Sequence, residues 1–167
     1  MNIFAVDDDA TLSAHQLPDK HIVKMPLECC QMLSIVYSSW YHNIGKVFKA
    51  DGTPYKTEKG AFRNHPCTKW VAESDHNIQW LIQHGISLCE EYTYRYEKTH
   101  ASQALIEWCS DNVPNIPTEP MSTMPQCMPD EYKSSCSVES YRKFYNIDKR
   151  NSFKCVWTKR QEPEWWE

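Results

Sequence analysis

Four polar side chains, His21, Lys24, Glu28 and Gln31, interrupt an otherwise apolar segment near the start of the chain. Steps of three, four and three residues place them on one face of a helix. Nucleophilic or lyase chemistry on a sugar needs an amine, a neighbouring carboxylate and cations that hold phosphates. We therefore predict that Glu28, Lys24 and His21 are catalytic. The alternative is that Lys24 and Glu28, one turn apart, form an ordinary ion pair.

The RNHP segment offers a second group of candidate residues. Arg63, Asn64 and His65 precede Pro66, which is well suited to the first position of a helix. Backbone N–H groups and the helix dipole favour an anion at such a start, so we predict that these three residues bind phosphate or substrate. The alternative is that Asn64 caps the helix and His65 packs.

A second polar stripe contains His84, Ser87, Glu91 and Arg95, again at helical spacing. Tyr94 lies in the segment EEYTYRYEKTH, whose tyrosines and cations are types that stack on bases and bind phosphates. We predict that Glu91, Arg95 and Tyr94 bind substrate and that this stripe faces the first one across an enclosed site. The alternative is a surface salt bridge between Glu91 and Arg95.

These candidates depend on helices that the apolar periodicity predicts. The predicted helices cover about residues 19–41, a segment from Pro66, and about 75–98, 102–109 and 137–145. Pro26 is a defect in the first of them, because an interior proline costs about 3 kcal/mol. We expect that helix either to begin near Met25 or to be kinked there.

The remaining segments complete a mainly α fold, a compact helical bundle that forms a single domain over residues 1–167. NIFAV should form a short strand or an extended arm, followed at Asp7–Asp9 by a helix entry or a solvated turn. Residues 43–64 should form a loop with at most one short hairpin. The proline-rich segment 113–130 should be extended and wrap over the domain, and residues 146–167 should form a basic, aromatic tail.

Composition limits the function classes. The 167 residues are 41% hydrophobic, which is enough for a real core, and the four glycines disfavour glycine-rich phosphate loops. The formal net charge of −4 means that any nucleic-acid surface must be a local basic patch. Basic residues do cluster, at Lys56, Lys59, Arg63 and Lys69 and again between Arg142 and Arg160.

The eight cysteines include no CxxC pair, and no signal peptide is recognisable. We expect a reducing, cytoplasmic setting in which Cys29, Cys30, Cys89 and Cys109 act as small buried hydrophobes. We predict no metal site and no cofactor. No apolar run approaches the roughly 20 residues that span a bilayer, so we expect no membrane partner.

Five motifs, DKHIVKM, NHP, EYTYRY, MPDEY and PEWW, resemble a family of small phage-encoded proteins. More distantly, the chain is similar to the pyrimidine dimer DNA glycosylases of the phage endonuclease V type. That resemblance implies a small helical domain with an early helix that carries His, basic residues and a catalytic Glu. Glu28 would be the essential carboxylate, and His21 and Lys24 would line the phosphate side.

The resemblance also implies a nucleophile. In the endonuclease V type, the amine exposed by removal of the first Met forms a Schiff base with the sugar. Residue 2 is Asn here, which is expected to block that removal, so the amine of Met1 or that of Lys24 would substitute.

The leading hypothesis is therefore an enzyme that acts on DNA or a nucleotide, most concretely a pyrimidine-dimer-type DNA glycosylase with AP-lyase activity. Trp165 and Trp166 are candidates for the wedge that base flipping requires. The alternative is a non-catalytic protein that binds a nucleotide or signalling molecule during infection, which the acidic charge favours. The sequence leaves the oligomeric state open.

Overall fold

The computed structural model describes residues 1–167, and all of its regular structure is helical apart from one isolated bridge between Phe48 and Pro54. The mainly α prediction is therefore confirmed. Six helices follow one another along the chain: α1 (Ala10–His15), α2 (Asp19–Tyr37), α3 (Pro66–Glu73), α4 (Asp75–Tyr96), α5 (Gln103–Asp111) and α6 (Ser137–Phe144).

Helix α2 runs through Pro26 without a break, so the expectation of a late start is wrong. Proline lacks the N–H that would bond to the carbonyl four residues earlier. The adjacent carbonyl of Val23 accepts a hydrogen bond from Nε2 of His100 at 3.0 Å. Packing of α2 against α3, α4 and α5 buries its apolar face and offsets the cost of the proline.

Helix α4 is the centre of the bundle and contacts α1, α2, α3 and α5. The Ser74 hydroxyl caps its start by accepting a hydrogen bond from the Asn77 N–H at 3.2 Å. Asp9 caps α1 in the same way, which confirms the helix entry expected at the acidic run. Residues 43–64 form the predicted loop between α2 and α3.

The first six residues form no strand. They make an extended, buried arm between α2 and α6, in which Ile3 and Val6 are almost fully buried. The Phe4 ring stacks on His21 of α2 and on Phe144 of α6. The backbone carbonyl of Val6 accepts a hydrogen bond from Arg142 of α6 at 2.8 Å. The chain terminus is thereby held inside the fold.

The proline-rich segment lies over α3 and α4. Its Ser122 carbonyl accepts a hydrogen bond from the Trp70 indole at 3.0 Å, and its Ser122 hydroxyl accepts one from Asn77 at 3.0 Å. Met124 and Met128 are buried against the core. This segment carries Cys127 toward the start of α3.

The C-terminal region is more helical than expected, because α6 continues through a π-helical turn (Tyr145–Lys149) into a last turn that ends at Ser152. Trp165 and Trp166 are not free wedges. The Trp165 indole donates to Gln16 at 2.5 Å and packs on Tyr145, while Trp166 packs on Trp157. None of the helices is both long and apolar enough to cross a membrane.

Candidate active site

Glu28 lies on the buried side of α2, where its carboxylate meets the amino-terminal backbone. Its Oε2 atom accepts a hydrogen bond from the backbone N–H of Asn2 at 2.7 Å and lies 3.8 Å from the amino nitrogen of Met1. Its Oε1 atom lies 3.2 Å from Nζ of Lys24. The Glu28 side chain is only 8% exposed. One buried carboxylate therefore adjoins three nitrogen atoms, two of which are amines.

The side chain of Asn2 fixes the terminus beside this carboxylate. Its amide nitrogen donates to the Cys127 carbonyl at 2.8 Å, and its amide oxygen accepts a hydrogen bond from the Tyr141 hydroxyl at 2.6 Å. Tyr141 is fully buried on α6 and also accepts a hydrogen bond from the Cys127 N–H at 3.2 Å. Residues from the buried arm (1–6), the proline-rich wrap (113–130) and α6 thus position the terminus together.

Lys24 is the solvent-facing member of the first stripe, with 60% of its side chain exposed. Its Nζ atom is open to solvent and pairs with the Glu28 carboxylate. These surroundings suit a cation that holds a phosphate better than they suit a nucleophile.

His21 is buried, with its ring stacked on Phe4 and its Nδ1 atom hydrogen-bonded to the hydroxyl of Tyr145. Burial, assisted by the charges of Lys149 and Lys24, lowers the pKa of His21 to about 3. A neutral, enclosed imidazole cannot bind a solvent-borne phosphate through charge. The structure therefore places His21 in the core, where its ring packs against Phe4 and Tyr145.

The RNHP residues separate in space. His65 is the cap of α3, with its Nδ1 atom accepting a hydrogen bond from the Cys67 N–H at 3.2 Å. Burial and the positive charge of the terminus lower the pKa of His65, although Glu28 opposes them. Asn64 is exposed, and the Arg63 guanidinium lies 4.5 Å from the Trp40 ring. His65 therefore lies near the terminus, Asn64 faces solvent, and the half-buried Arg63 packs on Trp40.

Glu91 and Arg95, on α4, belong to a separate ion-pair network that includes Asp19 at the start of α2. Arg95 donates to Glu91 at 2.8 Å and to Asp19 at 2.8 Å, and Arg160 donates to Glu91 at 2.9 Å. Burial alone would raise the pKa of Glu91, but the hydrogen bonds from Arg160 and Arg95 hold it below its usual value. No hydrogen bond or ion pair joins this network to Glu28, so the structure shows no direct polar contact between the two stripes.

Tyr94 lies beside the same network rather than beside Glu28. Its hydroxyl donates to the Lys159 carbonyl at 3.1 Å, and the Arg160 guanidinium lies 4.4 Å from its ring. The ring therefore holds the C-terminal tail against α4.

Two thiols from distant parts of the sequence meet behind the terminus. The Sγ atoms of Cys67 and Cys127 are 3.5 Å apart. A hydrogen bond from Cys67 lowers the pKa of Cys127 to about 7, although burial opposes this, and the same contact raises the pKa of Cys67. Cys29, Cys30, Cys89 and Cys109 are buried in the core, as expected.

An open groove of about 480 Å³ lies on the α2 surface, one helical turn beyond Glu28. Gln31, the last member of the first stripe, lines it together with Lys49, Lys56 and Phe62 from the 43–64 loop. Phe62 is 47% exposed and has a backbone φ of 64°, a left-handed conformation that strains a bulky residue. Basic side chains and a strained, exposed aromatic ring thus border this groove.

A family model described as pyrimidine dimer DNA glycosylase matches residues 1–104. The chain belongs to this family. The matched stretch runs from the buried arm into α5, and it contains Glu28, Lys24 and the RNHP segment. At the family level this is a DNA glycosylase-like protein, which agrees with the suspected resemblance. No curated protein and no solved structure matches the chain.

Residue spacing alone did not reveal several parts of this family member's site. Asn2 and Tyr141 are 139 positions apart, and Cys67 and Cys127 are 60 apart. Short periodicity carries no information about such contacts. The closeness of Met1 to Glu28 entered only through the resemblance.

Proposed function

We propose that this chain is a DNA glycosylase with AP-lyase activity, in which its amino-terminal amine is the nucleophile and Glu28 is the catalytic carboxylate. One observation carries the proposal: the first two backbone nitrogens lie 3.8 Å and 2.7 Å from the same Glu28 oxygen. The family match supports a damaged pyrimidine in DNA as the substrate.

The first chemical step exchanges the base for the amine. The lone pair of the neutral amine forms a bond to C1′ of the damaged nucleotide, the C1′–N glycosidic bond breaks, and its electron pair leaves with the base. The Glu28 carboxylate stabilises the positive charge that develops on the sugar. A proton then passes from the nitrogen to O4′ as the C1′–O4′ bond opens, which produces a protonated imine and a free O4′ hydroxyl.

The second step cleaves the strand. Glu28 accepts a proton from C2′ of the imine, and the C3′–O bond breaks as the 3′ phosphate leaves. Water hydrolyses the imine afterwards and restores the free amine. A carboxylate that touches the amine in the folded protein serves both steps without rearrangement.

The identity of the amine depends on processing of the terminus. Asn at position 2 disfavours removal of Met1, so the Met1 amine is the first candidate. If Met1 is removed, the nitrogen of Asn2 becomes the amine and already lies 2.7 Å from Glu28. Lys24 is the third candidate, but its exposure favours phosphate binding instead.

The surface around Glu28 supports DNA as the partner despite the acidic net charge. Lys24, Lys49, Lys56 and Arg63 supply local positive charge, and the exposed Asn64 stands at the start of α3, where an anion is favoured. We assign these residues to phosphate contacts. Phe62 is our candidate for the ring that fills the gap left by a flipped nucleotide.

Borohydride trapping tests the proposal, because reduction makes the imine permanent. The substrate is a duplex oligonucleotide with one cyclobutane pyrimidine dimer, compared with an abasic duplex and an undamaged duplex. We expect a covalent adduct with the first two, and peptide mass spectrometry should locate it at the amino terminus.

The decisive variant is Glu28→Gln, which keeps the shape of the side chain and removes its charge. Its matched control is Glu90→Gln, an exposed glutamate on α4. We expect trapping to fall by about 100-fold or more in the first and to be unchanged in the second. Absence of an adduct with wild-type protein on both damaged substrates, or equal trapping by the two variants, would refute the mechanism.

A further inference from the structure

We propose that His65, Cys67 and Cys127 form a site for one Zn²⁺ ion beside the amino terminus. One ligand atom from each residue lies within 4.8 Å of those of the other two. The three residues come from two segments, the start of α3 and the proline-rich wrap. This inference does not depend on the proposed glycosylase activity.

The geometry of the thiol pair fits tetrahedral zinc. A Zn–S bond of about 2.3 Å in a tetrahedron separates two sulfur ligands by about 3.8 Å. The observed separation of the Cys67 and Cys127 Sγ atoms is 3.5 Å. The ion would therefore require only small side-chain rotations, while a disulfide would require the sulfurs to approach by roughly a further 1.5 Å.

The donor types select the same metal. Two thiolates and an imidazole favour Zn²⁺ over hard cations such as Mg²⁺ and Ca²⁺. Three protein ligands leave the fourth position for water or another small donor. Cys67 is fully buried, whereas Cys127 and His65 are half-buried, so the ion could enter from the solvent side.

The groups around the ligands already hold them in place. The Cys67 N–H donates to Nδ1 of His65, so Nδ1 is the nitrogen with the available lone pair, and Zn²⁺ would take the place of this hydrogen bond. The backbone of Cys127 is held on both sides, by the Tyr141 hydroxyl at its N–H and by Asn2 at its carbonyl. Such outer contacts orient ligands in metal sites. Zinc would then link the wrap to α3 and help to hold Asn2, which contacts both Cys127 and Glu28.

Cobalt(II) is the spectroscopic probe for this site. The full-length protein, fully reduced and stripped of metal, is titrated with Co²⁺ and then with Zn²⁺. We expect one equivalent of cobalt to produce a thiolate-to-cobalt charge-transfer band, which zinc then abolishes. Zinc should also slow alkylation of Cys127 but not of Cys155, as followed by peptide mass spectrometry.

Variants assign the ligands. We expect Cys127→Ser to lower cobalt affinity by more than about 100-fold, since loss of outer contacts alone costs roughly 10–100-fold. Cys155→Ser, a half-buried cysteine outside the cluster, is the matched control and should bind normally. Absence of the band in wild-type protein, an undiminished band in folded Cys127→Ser, or equal loss in Cys155→Ser would overturn the proposal.

Discussion

Replacement of Arg95 by Met should destabilise the fold strongly, because it would leave two carboxylates without their shared cation. Arg95 is 0% exposed at its side chain, and it bonds to Glu91, to Asp19 and to the carbonyl of His15. Removing one partner from a buried ion pair costs about 3–5 kcal/mol. Arg160 still pairs with Glu91, so we expect the lower end of that range, about 3 kcal/mol.

The assay is urea unfolding followed by circular dichroism, with Lys159→Met as the control. Lys159 pairs with Glu97 at 2.8 Å, the same distance at which Arg95 pairs with Glu91. The side chains of Lys159 and Glu97 are, however, both exposed to solvent. Screening by water should make the Lys159 substitution nearly neutral. If Arg95→Met lowers the free energy of unfolding no more than Lys159→Met does, the network is not a main support of the fold.

Three further results should follow from the structure. The folded-state pKa of His21 is about 3, against 6.5 in the unfolded chain, so protonation of the unfolded state reduces stability as the pH falls below 6.5. His21→Phe should therefore lower the slope of unfolding free energy against pH in this range by up to about 1.4 kcal/mol per unit, and parallel profiles would refute this. Tyr141→Phe should cost about 1–3 kcal/mol, because it removes one of the two donors to the Asn2 amide oxygen and leaves the Cys127 N–H without its acceptor. It should also reduce imine trapping more than DNA affinity; an unchanged trapping rate would separate Tyr141 from the site. Phe62→Ala should lower kcat/KM on dimer-containing duplex by about 10-fold or more but have little effect on single-stranded substrate. Phe48→Ala is the control, because Phe48 is similarly exposed. Equal losses on both substrates would exclude a wedge.

The helices were largely predictable because their signals are local. Apolar residues at spacings of three and four identified α2 and α4, and Pro66 after a capping residue identified the start of α3. Pro26 misled the interpretation, since the local cost of a proline says nothing about the packing that offsets it. The helical turns that follow α6 were missed, because a π-helical turn has no clear sequence signature.

The candidate site was only partly predictable. Helical spacing singled out Lys24 and Glu28, which do form a contact one turn apart. The same reasoning grouped His21 with them, although burial against Phe4 leaves it neutral. Spacing describes which side chains share a face, but it does not decide which part of that face is covered.

Sequence by itself determined the mainly helical fold, the family resemblance and the choice of Glu28 as the central carboxylate. Only the tertiary structure decided that the terminus meets Glu28, that Glu91 and Arg95 form a separate network, and that Cys67 meets Cys127. The physical reason is the range of the interactions. Helix signals act over three or four residues, whereas these contacts depend on how the buried arm, the wrap and α6 close around the core.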